Sequence, residues 1–172
     1  NDVLELEEND ASLAALQAKA AELGIWLLIG SLALKTGDPD NRFANRSFLI
    51  DPQGSIVSKY DKIHMFDVNL SETESYRESA GYRPGDRAMT AAFQDTILGM
   101  AICYDVRFPH LFRQLAQNGA TVITVPAAFA RPTGAAHWET LLRARAIENG
   151  AFILAPAQTG HHGGTRKTHG HS

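Results

Sequence analysis

The chain has 172 residues, 44% apolar and 20% charged, with a formal net charge of -3. That length supports a sizeable buried core, and the scatter of Lys and Arg points away from nucleic-acid binding and from a membrane surface. No apolar run reaches the roughly 20 residues a spanning helix needs, and the acidic opening "NDVLELEEND" does not read as a signal peptide.

Residues 10–23, "DASLAALQAKAAEL", predict an amphipathic helix. Asp10 or Ser12 is placed to cap it, Leu13, Leu16, Ala20 and Leu23 recur at helical spacing, and Gly24 stands where a terminating glycine belongs. "IWLLIGSLAL" (25–34) predicts a buried strand, and "TGDPDN" (36–41) a loop. "RSFLI" (46–50), the turn "DPQG" (51–54) and "SIVSKY" (55–60) predict a hairpin. From 61 to 88 no period is visible, and an irregular stretch of that length is often functional.

A strand is expected near 96–102, then a helix over 108–118 with Pro109 in its first turn. Residues 121–128 predict a strand, 136–150 a helix and 151–157 a strand. The tail, "QTGHHGGTRKTHGHS", predicts a polar loop. Nearly continuous apolar strands alternating with helices indicate an α/β fold, with the strand order left open.

The one cysteine, Cys103, rules out an internal disulfide and suits a reducing, cytoplasmic setting. A lone cysteine ending an apolar strand often only fills space. Here polar residues follow at once, which puts the thiol at the carboxyl end of a strand, where α/β sheets build sites. A helix is expected just beyond, near Phe108, and a strand–turn–helix junction can offer backbone N–H groups to an oxyanion. The thiol needs a base or cation beside it. None of His64, His110, His137, His161, His162, His169 and His171 stands at a spacing diagnostic of a Cys–His hydrolase. The His-rich tail has no second thiol and no HExxH, so it predicts a solvated loop and no metal site. Lys62 sits at a strand end and Glu78 in the irregular stretch. By type alone each is an ordinary solvated charge.

Taken together, "KYDKIHMFDV", "GMAICYDVRFP" and "AAFARPTGAAHWETLLRARAIENGAFILAPAQTG" resemble the nitrilase superfamily of carbon–nitrogen hydrolases, and "HGHS" matches an ending usual there. The resemblance spans most of the chain. It leans toward the branch whose members are ω-amidases and amidases of deaminated glutathione. It implies one hydrolase domain over 1–172, a four-layer α-β-β-α sandwich, a Glu-Lys-Cys catalytic set, a small amide as substrate, and no metal or organic cofactor. Carried over, Cys103 resembles the nucleophile, Lys62 the catalytic lysine and Glu78 the supporting glutamate. The backbone N–H of Tyr104 resembles the oxyanion donor. Phe66, Arg107, Phe129 and Thr133 resemble pocket residues. The helices at 108–118 and 136–149 resemble subunit contacts, which implies a homodimer or larger. Trp138 is expected to pack, and Arg107 has a second reading as the partner of Asp105 or Glu139.

The family's general-base glutamate lies in a Pro-Glu motif ahead of the first long helix, and nothing here resembles that motif. Glu5, Glu7 and Glu8 are candidates by type only. The family's closing strands after "GHS" have no counterpart either, so the chain is expected to be truncated at both ends. His110 stands where the family commonly has Glu, and is expected to be a neutral surface change. Three readings stay open: an amidase of deaminated glutathione or an ω-amide, an N-carbamoyl amidase or nitrilase, and a non-catalytic binding protein of the same fold.

Overall fold

Asp10 accepts the Leu13 N–H at 2.7 Å and so starts helix α1 (Ala11–Leu23) in the computed structural model of the protein. The structure describes residues 4–69, 75–163 and 166–172. Gly24 ends α1 in the left-handed conformation at φ 62°, which a glycine adopts without steric cost. Contacts divide the chain into two compact units, Asn1–Arg87 and Ala88–Ser172. Each is described by itself.

In the first unit, β1 (Leu27–Lys35), β2 (Phe43–Ile50) and β3 (Ile56–Asp61) form an antiparallel sheet in that order. The predicted hairpin is the β2–β3 pair. Its turn closes because the Asp51 carboxylate accepts the Gln53 and Ser55 N–H groups at 2.9 and 2.8 Å. Leu13 and Ala20 of α1 bury against Ile29, Leu34, Phe48 and Ile50 to form the core of this unit. Ser47 is also buried, and it donates its hydroxyl to the Ile29 carbonyl at 2.6 Å.

The expectation of an unstructured stretch over 61–88 is corrected. Two strands, β4 (Asp67–Asn69) and β5 (Ser75–Arg77), pair antiparallel, and a 3-10 turn follows at Glu78–Ala80. Strands of three residues are too short to show a period. Backbone bonds stitch the rest of the stretch to the sheet: Phe43 N–H to the Gly81 carbonyl at 2.9 Å, Arg83 N–H to the Phe43 carbonyl at 2.9 Å, and Gly85 N–H to the Lys62 carbonyl at 2.8 Å. Residues 70–74 lie outside the described residues.

The second unit has β6 (Met89–Phe93), β7 (Thr96–Met100), β8 (Val122–Thr124) and β9 (Phe152–Leu154) in one sheet in that order. The β6–β7 pair is antiparallel, and β7, β8 and β9 run parallel. Helices α2 (Pro109–Gln117) and α3 (Arg131–Asn149) make the two crossovers. Gly99 lets the end of α2 approach β7. A Cβ there would stand 3.1 Å from Ala120 Cβ and 3.2 Å from Leu115 Cβ. On β9, Phe152 and Leu154 are 76% and 54% exposed.

Four expectations are revised here. Strand β6 has no clear signal in the sequence. The strands expected over 121–128 and 151–157 shorten to β8 and β9, although a bridge between Ala127 and Ala157 continues their direction. Helix α3 begins at Arg131, not 136, with Pro132 in its first turn. The tail is not a plain loop, because β10 (Thr159–His161) and β11 (Lys167–His169) form an antiparallel hairpin. Its backbone is tied to the start of α3, with the His169 N–H on the Phe129 carbonyl at 3.0 Å. Residues 164–165 of this tail lie outside the described residues.

Candidate active site

In the first unit, Lys62 follows β3 directly and is only 3% exposed. The solvated reading of this lysine is therefore corrected. Its main chain is held on both sides: the N–H donates to the Asn45 carbonyl at 2.9 Å and the carbonyl accepts the Gly85 N–H. A buried ammonium needs an anion, because moving an unpaired charge out of water is costly. Here Glu78 supplies it, through an ion pair between Lys62 Nζ and Glu78 Oε2.

Glu78 is itself well tied. Its Oε2 also accepts the Phe66 N–H at 2.6 Å, and its Oε1 accepts the Asn45 side-chain amide at 3.1 Å. The Glu78 N–H returns a bond to the Phe66 carbonyl at 3.3 Å. The loop bearing Phe66 and the turn bearing Glu78 thus clasp one another. Next to them, Asp67 accepts the Ser79 hydroxyl at 2.6 Å and the Ser79 N–H at 3.0 Å, which holds its carboxyl below the usual carboxylate range. The Phe66 ring lies 5.0 Å from that of Tyr76.

The opposite neighbour on β2, Arg46, engages a different set. It meets Asp61 and Glu7, and Glu7 also takes Lys59 at 2.9 Å. Of the glutamates considered by type, Glu7 is therefore in an ion-pair network. Lys35, Arg83 and Asp10 share with this network a polar depression that Glu7 and Glu8 also line, but Lys62, Glu78 and Cys103 do not.

In the second unit, the chain stays extended past β7. The Ala101 N–H donates to the Thr124 carbonyl at 3.0 Å and the Cys103 N–H to the Pro126 carbonyl at 2.9 Å. At Cys103 the backbone turns into the left-handed region, φ 50°, and a 3-10 turn runs from Cys103 to Arg107. A non-glycine residue pays for that conformation and holds it only where the surroundings dictate it. Buried Asp105 does so from below, taking the Ile102 N–H at 2.9 Å. Buried Arg145 adds a bond from Nε to the Val106 carbonyl at 2.9 Å. The thiol itself is half-buried.

Tyr104 and Arg107 belong to this turn, and Phe129 lies beside Arg107. The Arg107 guanidinium lies 5.8 Å from the Tyr104 ring centroid and 5.2 Å from that of Phe129. It also approaches His137 Nδ1 at 3.4 Å. Glu139 pairs instead with Arg143 at 2.9 Å. Phe129 is buried and lies 4.8 Å from the ring of Trp138, which packs as expected and donates its Nε1–H to the His171 carbonyl at 2.9 Å. Thr133 is not in a loop. It stands in the first turn of α3, its hydroxyl on the Ala130 carbonyl at 3.3 Å. His110 is exposed near the start of α2.

The structure thus brings Lys62, Glu78 and the Phe66 amide together in one unit. It gathers Tyr104, Arg107 and Phe129 by the Cys103 turn in the other. The residue missing from the sequence reading is Asn45, whose only signal is a polar amide within the apolar run "FANRSFLI". Among the described residues, no three His, Cys, Asp or Glu side chains assemble as a metal site. No helix among them is long and apolar enough to cross a membrane.

Comparison with known proteins now adds to this geometry. The carbon-nitrogen hydrolase family matches residues 1–172. The chain is 46% identical over 168 residues to the deaminated glutathione amidase of Yersinia enterocolitica, covering 96% of this chain and 59% of that protein. It thus spans about three fifths of that curated relative. Among solved structures it is similar to Saccharomyces cerevisiae Nit3, a member of branch 10 of the nitrilase superfamily. The identity is 28% and the TM-score 0.83, covering 98% of this chain and 58% of that one. It is also similar to a mutant amidase from Nesterenkonia sp. AN1 that carries the acetamide moiety of fluoroacetamide covalently at its active-site cysteine. There the identity is 27% and the TM-score 0.79, covering 95% of this chain and 58% of that one. The α/β fold is that of these nitrilase-superfamily structures.

Proposed function

Because the chain belongs to the carbon–nitrogen hydrolase family, we propose that it is a thiol amidase. It acts on a small linear amide, of the deaminated glutathione or ω-amide class, and the two units serve one hydrolase domain. The observation that carries this reading is the Lys62–Glu78 pair: a buried ammonium fixed by a carboxylate that is itself held by two further N–H donors. A preorganised cation of that kind favours a thiolate and an oxyanion without having to move during the reaction.

Cys103 Sγ attacks the amide carbon and the carbonyl oxygen takes the negative charge. The Tyr104 N–H and Lys62 Nζ stabilise that oxygen, and removing one such donor typically costs about 3–4 kcal/mol. The C–N bond then breaks, ammonia leaves with a transferred proton, and a thioester remains. Water hydrolyses the thioester, releasing the acid and the thiol. A glutamate general base is required for the two proton transfers, and no glutamate of this chain is assigned to it. Support for Cys103 comes from the reacted cysteine of the Nesterenkonia amidase and from the presence of one cysteine here.

Phe66, Phe129 and Thr133 line the substrate site in this reading. Arg107, steadied over two rings, offers a fork for a substrate carboxylate. The substrate class follows the Yersinia relative's name. A homodimer or larger, formed through α2 and α3, fits the 80% exposure of Ile147 on α3, and a reducing cytoplasm fits a cysteine with no second cysteine to pair with.

The test is ammonia release from a panel of ω-amides by the chain and its Cys103→Ala form. Release that vanishes with the thiol supports the amidase. No release from folded protein that still binds the amides favours the non-catalytic reading. N-carbamoyl substrates and nitriles in the same panel separate the enzyme alternatives.

A further inference from the structure

Asn45 touches both members of the buried ion pair. Its carbonyl accepts the Lys62 N–H at 2.9 Å, and its side-chain Nδ2 donates to Glu78 Oε1 at 3.1 Å. Its own Oδ1 is buried and has no hydrogen-bond partner among the described residues. A buried amide that leaves its acceptor unmet carries a desolvation cost. What it keeps in return is one neutral donor aimed at one oxygen of Glu78.

Neutrality matters there. A cation in place of the amide would compete with Lys62 for Glu78, and a carboxylate would repel Glu78. With Oε1 held by Asn45 and the Phe66 N–H on Oε2 at 2.6 Å, the carboxylate plane is fixed and Oε2 is presented to Lys62 Nζ. We propose that Asn45 is the positioning residue of the Glu78–Lys62 pair, orienting the carboxylate that in turn holds the ammonium. The inference rests on the amidase reading for its effect on turnover, but not for its effect on Glu78.

The test uses Asn45→Leu, which removes the donor, and Asn45→Asp, which keeps the shape. Hydrogen exchange by NMR follows the Phe66 N–H, which depends on Glu78, and the Lys62 N–H, which depends only on the Asn45 main chain. At neutral pH both variants are expected to lose about tenfold or more of the Phe66 protection, the scale of one hydrogen bond to a charged group, while Lys62 keeps its own. On acidification Asn45→Asp recovers, because a proton shared between the two carboxyls restores a donor, and Asn45→Leu does not. Ammonia release follows the same pattern, with kcat reduced and KM nearly unchanged. Unchanged Phe66 protection, equal loss at Lys62, or a loss in Asn45→Asp that ignores pH would each overturn the proposal. Absence of ammonia release from the parent chain would instead sink the amidase reading, and the exchange data would still decide the role of Asn45.

Discussion

Arg46 grips Asp61 with two prongs, Nε to Oδ1 at 2.5 Å and Nη2 to Oδ2 at 2.8 Å, across the β2–β3 pair. This fork sits one residue away from both Asn45 and Lys62, so it anchors the strand ends that carry the buried pair. Hydrogen bonding to Asp61, working against burial, holds the Arg46 guanidinium more firmly protonated than usual. Arg46→Lys keeps the charge but loses the fork. The expected cost is about 1–2 kcal/mol, from one charge-assisted bond lost in a half-buried site. Urea unfolding reads it, and an unchanged midpoint would show the fork to be energetically idle.

Glu7 gives the first unit a pH-dependent tie. Burial works to raise its pKa, yet hydrogen bonds from Lys59 and Arg46 outweigh that and leave it below the ordinary 4.5. A carboxylate lowered in the folded state stabilises above its unfolded pKa and loses that contribution as pH falls through the folded value. Glu7→Gln is therefore expected to be less stable than the parent at neutral pH. The gap should begin to narrow as the pH drops below about 4.5 and close only below the lower folded value. A gap that persists in acid would assign the effect to packing.

Gly85 is close to the Asp61 main chain. A Cβ at this position would stand 2.2 Å from the Asp61 carbonyl oxygen and 2.9 Å from its carbon. Backbone cannot swing aside as a side-chain tip can, so Gly85→Ala must displace the chain that donates to the Lys62 carbonyl. A destabilisation of about 1–3 kcal/mol is expected, the usual range for overpacking. The Gly85 N–H should exchange faster in the variant; normal protection there would refute the clash.

His169 tunes the terminal hairpin. Burial, then the neighbouring His171, then Arg131, push its pKa below 6.5. The His169 and His171 rings stack 4.4 Å apart, and His169 lies against Gly134 of α3. The unfolded state takes up this proton more readily, so the hairpin should weaken as pH falls from about 6.5 through the folded pKa. His169→Gln should flatten that slope. A slope equal in both chains would place the titration elsewhere.

Much of this architecture is legible from single residues. Asp10 and Gly24 delimit α1, "DPQG" marks the β2–β3 turn, and Pro109 opens α2, because each acts through local geometry. Strand β6 and the β4–β5 pair are not legible, since short half-buried strands leave no run of period two. The start of α3 hides behind Pro132 and Gly134, two poor helix formers. Pro132 is tolerated in the first turn, and Gly134 is where the His169 side chain comes close, its Cβ 2.4 Å from an added Cβ. Among the candidate residues, motif order singles out Lys62, Glu78 and Cys103, but the burial of Lys62 and the reach of Asn45 arise only when β2, β3 and the Glu78 turn meet.

The left-handed backbone of Cys103 has a consequence for how this position would drift. At φ 50° a glycine is at ease and any side chain is mildly strained, a penalty of order 1 kcal/mol. In a thermal melt Cys103→Gly should therefore tolerate more heat than Cys103→Ala, unlike at most buried sites. The backbone term taken alone favours glycine at this position. A side chain kept at this dihedral angle is kept against the preference of its own backbone.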